Sequence, residues 1–581
     1  MKYLLAFIIL SSSLLAQDSG VQFFEKNIRP VLTTQCYSCH SSTAKSVKGG
    51  LSLDTRQGIL NGGDSGPSIV PGKIDESLLL DYIQSGDMPP DKPLSEKIVK
   101  DFEKWIKMGM PDPRYKHENR QLELKQARQF WSFKKVTRIP VKVYEGSTEL
   151  DSILEIEMKK QDIKPVAEAN EYTILRRLYF DLIGLPPSPE QIKGYINDKS
   201  EDKYEKLVDS LLEDQGFGEK WARHWLDVAR FGESSGQDRN LVSPYAWRYR
   251  DYVIDSFNKD KPYDEFIREQ IAGDLMPHKT FEQYNENQIA TGFLTIGTKN
   301  IQAQTRQFEA DRNDDQIDAI TRGFLGMTLS CARCHDHKFD PFSQQDYYGV
   351  FGLFNNTENL DGLYRGNNNT GYLGDYGYLV TKETEDYYKD KKIEEWFLLC
   401  DIKNLEGQIE SIQNWNKRAT EEQINREIKR REEKLAEAKE KLKELTGETE
   451  FPTLEYLEPV MSVKDKDKMT EPKLAIRGEV NNLGDEVPRR LPEIFSDRPN
   501  LAFEDTSGRF QLAEWITDRT NPLTYRVHVN RVWRHLFGKG ILDSFDNFGI
   551  LGGEPTNLKL MNYLSSKFVS GKFSNKRLIK T

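Results

Sequence analysis

Two pentapeptides of identical spacing constrain this 581-residue chain more than any other feature: Cys36-Tyr37-Ser38-Cys39-His40 and Cys331-Ala332-Arg333-Cys334-His335. Four of its five cysteines lie in these two copies of C-x-x-C-H. At this composition chance supplies one such pentapeptide in roughly one chain in a thousand, so a pair of them demands a chemical reason.

The compartment narrows the reasons. The chain opens MKYLLAFIILSSSLLAQDSG: a lysine, an apolar run from Tyr3 to Leu10, then small residues with a cut expected after Ala16. That pattern is a secretory signal peptide over 1–16, too short in its apolar core to span a bilayer. With no later apolar run of membrane length, the mature chain is expected to be soluble and periplasmic or otherwise exported.

Paired cysteines in an oxidising compartment ordinarily form disulfides, but a disulfide has no need of the histidine that closes both motifs. A covalently attached c-type haem does need it. Each thiol takes one vinyl group as a thioether, and the adjacent histidine reaches the iron. The expectation is two covalent haems, held by Cys36 and Cys39 with His40 on the first iron, and by Cys331 and Cys334 with His335 on the second. The competing readings are a four-cysteine zinc site, which leaves both histidines unexplained, and a thioredoxin-like redox pair, for which the strand-then-helix context is missing. Cys400 lies on an apolar stripe and reads as a small buried hydrophobe.

Composition sets limits. The formal net charge is −10, with 30% charged residues, which argues against a nucleic-acid partner. No catalytic-triad signature, phosphate-binding glycine loop or H-E-x-x-H motif is present.

The first module, 21–113, places Phe24, Ile28, Val31 and Leu32 on one helical face leading into the first motif, and Ile98, Phe102, Trp105 and Ile106 on another, with Ser95 as N-cap. Two such helices around a Gly- and Pro-rich middle are the plan of a small class I cytochrome c. Met88, held by two prolines in SGDMPPDKP, is the expected second ligand of the first iron, with Met108 and Met110 in reserve.

Here a resemblance becomes specific. IRPVLTTQCYSCH, GGLSLDTRQGILNGGDSGPSIVPGKIDESLLLDYI and MPPDKPLSEKIVKDFEKWI resemble the planctomycete-type cytochrome c domain. ILRRLYFDLIGLPPSPEQI, WARHWLDVARFGES, WRYRDYVIDSFNKDKPYDEFIREQIAGDL and CARCHDHKFDPFSQQDYYGVFGLF resemble its usual companion, and RFQLAEWITDRTNPLTYRVHVNRVWRHLFGKGILDSFDNFG a third domain of the same family. The resemblance implies haem proteins of a secreted system. It supplies no reaction, and it implies that the last domain continues beyond Thr581.

The fold class expected is mainly α, with a linker at 114–150, a larger helical domain at 151–358 carrying the second motif, a surface loop at 359–391, a helical hairpin at 392–446 and a mixed C-terminal domain at 447–581. In the helical domain, Ile174, Leu178, Leu182 and Leu185 mark one stripe and Leu207, Val208, Leu211 and Leu212 another, while Trp221, Trp225 and Val228 form one face of a helix and His224 and Asp227, three apart, share another. The hairpin is read from stripes at Ile393, Phe397, Ile402, Leu405, Ile409 and Ile412, then Ile424, Ile428, Leu435, Leu442 and Leu445, with Thr420 and Gln423 forming a capping box.

His224 is the leading candidate for the sixth position of the second iron, ahead of His278, His528, His535 and Met327. His337 stands too close to His335 to cross the macrocycle and is expected to bond its own loop, near Asp336 and Asp340. Arg333, Arg248 and Arg250 are candidate partners of haem propionates. Three functions follow: an exported dihaem cytochrome passing electrons to an unknown redox partner protein, a haem oxidoreductase with an open second iron, or an extracellular scaffold in which haem is incidental.

Overall fold

The computed structural model describes residues 20, 23–41, 44, 46–90, 93–112, 120, 124–137, 140–141, 143–144, 146–237, 240–299, 305–363, 373–382, 385, 393–413, 420–449, 458–494, 503 and 505–581. The expected signal peptide falls outside them. The protein is mainly helical, with a four-stranded and a two-stranded sheet, and it divides into two compact units between Gln126 and Ala127.

The first unit is built on the two expected helical faces. Phe24–Ile28, Arg29–Val31 and Leu32–Cys36 run on as one helical stretch that alternates between wide and regular turns. Its Phe24, Ile28 and Leu32 are fully buried. Helix α1 (Leu78–Ser85) supplies Leu79, Leu80 and Ile83, and α2 (Glu96–Lys107) supplies Phe102, Trp105 and Ile106. Burial of each such side chain contributes about 1.5–3 kcal/mol, and Phe24 and Phe102 both pack on the Trp105 indole, at ring centroids 5.3 and 6.0 Å away. Ser95 is the N-cap residue of α2, but its side chain makes no capping bond.

In the second unit, helices α3 (Gln215–Val228), α4 (Ala246–Asn258), α5 (Tyr263–Ala272), α6 (Phe281–Ala290), α7 (Thr305–Ile320) and α8 (Gln344–Asn355) follow four helices between Glu149 and Leu212. The interior gathers round Trp225, whose indole N–H reaches Gln270 Oε1 at 2.9 Å while Phe266, Phe293 and Phe324 close on the ring.

The surface loop expected from 359 is corrected here. Strands β1 (Thr357–Leu363) and β2 (Leu373–Leu379) occupy its first half, and β3 (Glu458–Val460) and β4 (Ser462–Asp465) join them in the order β3-β2-β1-β4. Thr357 pairs with Asp465 and Leu360 with Ser462 across about a hundred residues of chain. Apolar alternation is weak there because several inward residues are polar, among them Asn359 and Asp361, and Gly and Asn disguised the strands as loop. Long-range pairing also explains why the second unit is one body where a domain, a loop, a hairpin and a further domain were expected.

The hairpin inserted between these strands is α9 (Ile393–Gln413) and α10 (Glu421–Thr446), started by the Thr420–Gln423 capping box. Its buried stripe includes Ile402, Leu405, Ile412 and Leu442, but also Trp396, Leu399 and Cys400, which face Tyr284 of α6, while Leu445 is exposed. Leu175, Tyr179 and Leu182 form the buried stripe of helix Glu171–Leu182, and Leu185 is exposed. The linker is shorter than expected: Trp131 and Phe133 are buried, and Trp131 donates to the Gly553 carbonyl at 2.9 Å. Helices α11 (Arg509–Thr517) and α12 (Thr524–Phe537) are followed by Leu558–Ser570 and Asn575–Lys580, which close the unit, and a pair of strands, β5 (Lys473–Ala475) and β6 (Leu483–Glu486), stands beside α8.

Candidate functional site

The first motif closes the N-terminal helical stretch as one further turn. The Cys39 and His40 amides both reach the Cys36 carbonyl, at 3.2 and 2.9 Å, and the His40 carbonyl accepts from Leu53 at 2.8 Å. Both thiols and the imidazole therefore project from a fixed turn. Cys36 packs on the core, and burial pushes its thiol up to about 11. The Nδ1 atom of His40 is buried with no hydrogen-bond partner. A buried polar atom left alone costs about 1–3 kcal/mol, so the ring is of the kind that a ligand completes. Half-buried Tyr37, Leu51, Leu60, Ile74, Ile98 and Val99 pack on the same core and provide apolar surface suited to a porphyrin.

The three methionines have distinct settings. Met88 is exposed on the loop after α1, its amide tied to the Tyr82 carbonyl at 3.1 Å. Met108 is exposed at the end of α2, and Met110 is fully buried in the core. Met88 and Met108 therefore keep free thioethers, whereas Met110 is a packing residue.

The second motif occupies a 3₁₀ turn, Leu329–Arg333, and the residues after it. Leu329 and Ala332 anchor the turn inward, while Cys331, Cys334 and His335 are exposed. All five cysteines are free thiols. His335 Nδ1 lies 2.7 Å from the Asp336 carbonyl; only an N–H can make that bond, so Nε2 carries the lone pair and is free to meet a metal. Asp336 is fixed in turn, accepting from the Gln344 amide at the start of α8 at 2.8 Å. Large apolar side chains lie exposed close by: Phe339 in the loop and Ile550, whose amide donates to Asp340 at 2.8 Å. Both motifs thus have the donor set and the apolar surroundings that a covalent haem needs.

His337 does what its position predicted. Its Nδ1 accepts from the Asp340 amide at 2.8 Å, its Nε2 lies 3.4 Å from Thr328 Oγ1, and burial holds its pKa down. Arg333 pairs with Asp311 at 2.9 Å and Asp314 at 3.7 Å on α7. Arg248 pairs with Glu458, and Arg250 with Glu233 and Asp251, none of which belongs to the motif loop.

The structure sets His224 against His535 of α12, the rings stacked 3.7 Å apart at 17°, with Trp221 edge-on to both. Burial first, then neighbouring cations such as Lys220, holds both imidazoles down to about 4. His528 is buried, bonded to Asn575 at 2.6 Å and stacked on Tyr263. Met327 is fully buried among Ile317, Leu329 and Phe342, and His278 lies beside Tyr284 with Nδ1 3.4 Å from the Met276 carbonyl.

One contact was not anticipated. The turn Ile476–Gly478 lies against Cys334: a Cβ on Gly478 would stand 2.5 Å from the cysteine sulfur. Gly478 has φ +73 and the exposed Arg477 before it φ +59, an unusual conformation for arginine that is enriched at functional sites. The only signal in the sequence was the glycine itself, some 140 residues past the motif. Asp311 and Asp314 carried a plainer one, the acidic run DRNDDQ one helix before the cysteines.

Among the described residues, no helix is long and apolar enough to cross a membrane, and no cluster of three or more His, Cys, Asp or Glu forms a ready-made metal site. Comparison with curated proteins and with solved structures gives no match. Three family models do match: Planctomycete cytochrome C over residues 36–92, PSCyt2, a protein of unknown function (DUF1549), over 149–359, and PSD1, a protein of unknown function (DUF1553), over 508–581. The chain therefore carries a planctomycete cytochrome C domain, a unit of haem binding and electron transfer in general, followed in order by that family's two companion domains.

Proposed function

We propose that this protein is an exported dihaem cytochrome that passes electrons between its two haems and an external redox partner protein. When bound, each haem supplies one-electron chemistry by cycling its iron between ferric and ferrous states. Cys36 and Cys39 hold the first haem and Cys331 and Cys334 the second, as thioethers. His40 and His335 ligate the irons, the Asp336 carbonyl fixes the tautomer and direction of His335, and Met88 is the second ligand at the first iron. The observation that carries the reading is the repetition, in both units, of two cysteines at thioether spacing followed by a histidine whose ring is readied for a ligand.

The test is a potentiometric titration of the haem-loaded protein and of two variants. Replacing Cys36 and Cys39 by alanine removes one redox wave, and replacing Cys331 and Cys334 removes the other. A protein in which the second replacement leaves the titration unchanged has one haem, and the reading fails for the second motif.

A specific observation favours a second reading, a haem oxidoreductase open at the second iron. The side chains expected in the sixth position are engaged elsewhere: His224 with His535, His528 with Asn575, Met327 in an apolar core. Electron paramagnetic resonance of the variant lacking the first haem separates the two. A low-spin iron indifferent to cyanide is a carrier's; a high-spin iron that binds cyanide promptly is an enzyme's.

A further inference from the structure

The stacked pair His224 and His535 belongs to neither motif, and its surroundings define a use for it. The rings lie 3.7 Å apart, and Trp221, one turn earlier on α3, stands edge-on to both at 5.8 and 6.3 Å. His535 is exposed and His224 half-buried, so the pair is open to solvent. Around it are Lys220 and Arg223 on α3 and Arg531 and Arg534 on α12. Lys220 acts on both imidazoles, Arg223 on His224, and Arg531 and Arg534 on His535, while among the described residues no carboxylate acts on either ring. Asp181 acts on Lys220 but is shared with Arg177, and Asp546 acts on Arg531 but is shared with Arg322.

The cluster is a set of N–H groups waiting for an acceptor. Among the described residues, neither imidazole, nor the Lys220 ammonium, nor the Arg223 guanidinium has a hydrogen-bond or ion-pair partner, and the Trp221 indole Nε1 and Arg531 Nε are buried without one. Such groups persist where a ligand or water completes them. Burial and the neighbouring cations hold both imidazoles neutral at pH 7, so each keeps one N–H to donate. A metal ion is the wrong complement, because it would meet four cations, and rings only 17° from parallel do not aim their in-plane lone pairs at one ion. An anion is the right one. A carboxylate has about four lone-pair sites, all in a single plane. The donors here are spread over two helices and an indole set at 76° and 87° to the two imidazole planes, an arrangement that suits a group whose acceptor oxygens spread in three dimensions. We propose that His224, His535, Lys220, Arg223 and the Trp221 indole form a binding site for a compact tetrahedral oxyanion, a phosphate or sulfate group. The site is independent of either haem.

Equilibrium dialysis of the full haem-loaded chain against radiolabelled sulfate and phosphate, with ionic strength held by sodium chloride, tests it. The expected result is saturable binding that acetate at equal concentration does not displace. It should weaken by about tenfold or more in His224→Phe and in His535→Phe, which keep an aromatic ring in the stack but lose its N–H. Competition by methyl phosphate or methyl sulfate would identify the end group of an ester as the ligand, and failure to compete the free ion; the proposal holds in either case. Wild-type protein that binds neither ion saturably overturns it, as do displacement by acetate and full affinity in both variants. Should the variants fail to fold, a wild-type crystal soaked in selenate decides: an anomalous peak beside the His224 and His535 rings within reach of Lys220 supports the site, and its absence there overturns it.

Discussion

Adding one methyl group at Gly478 is expected to damage the second haem site without touching its motif. The alanine Cβ would stand 2.5 Å from the Cys334 sulfur, whereas non-bonded heavy atoms settle at about 3.5–4 Å, so something must yield by about an ångström. Alanine at φ +73 also costs roughly 1–2 kcal/mol. Cys334 is exposed and turns about a single side-chain bond, so the cheaper response is rotation of its thiol away from the position that the motif spacing sets. Gly478→Ala, matured with a periplasmic haem-ligation system, should lose about 1–2 kcal/mol of stability and carry a second haem attached through Cys331 alone. The alkaline pyridine spectrum reads this directly, because one unreacted vinyl group shifts the reduced band to the red, and peptide mapping places the surviving thioether. A variant with both thioethers at the second motif and an unchanged denaturation midpoint refutes the reasoning.

Other outcomes follow from the same geometry. Met88→Ala should lower the potential of the first haem and abolish its sulfur-to-iron absorption in the oxidised state, whereas Met110→Ala, in the core, should keep both and lose about 2–5 kcal/mol of stability, as spectra and urea unfolding would record. Arg509 is fully buried between Asp274 and Asp465 at 2.7 Å from each, so Arg509→Ala, which strands two carboxylates, should cost about 3–5 kcal/mol by chemical denaturation. His528 has a folded pKa of about 3 against an ordinary 6.5; the unfolded chain binds its proton first, so stability is full above pH 6.5 and falls as pH drops towards 3, by an amount on the order of 4 kcal/mol. Denaturation of His528→Gln across that range should show a flatter acid limb than wild type, and equal slopes would contradict the assignment.

Local chemistry was legible in the sequence wherever it is carried by neighbours in the chain. The C-x-x-C-H turns, the faces through Phe24 and Trp105, the Thr420 capping box and the loop bonding of His337 all depend on residues a few positions apart. What escaped was long-range. Strands β1 and β4 pair across the inserted hairpin, Gly478 reaches Cys334 from a distant turn, and His224 meets His535 across more than three hundred residues. Periodicity also misplaced the buried face of helix Glu171–Leu182: Ile174 and Leu178 fit the period, but Leu175 and Tyr179 are the residues that neighbouring helices cover. The propionate candidates illustrate the same limit, since the acidic partners of Arg248 and Arg333 lie on other elements and no local pattern announces them.

The central claim is that both motifs hold covalent haem, and the mass of the intact protein after denaturation tests it most directly. Expressed and exported in a host that has a haem-ligation system, the chain should run, unfolded in acid and organic solvent, at the mass of its polypeptide plus two haems, with Soret absorption retained in the denatured peak. A mass increased by one haem contradicts the account at the second motif, and a colourless polypeptide at the mass of the bare chain contradicts it altogether.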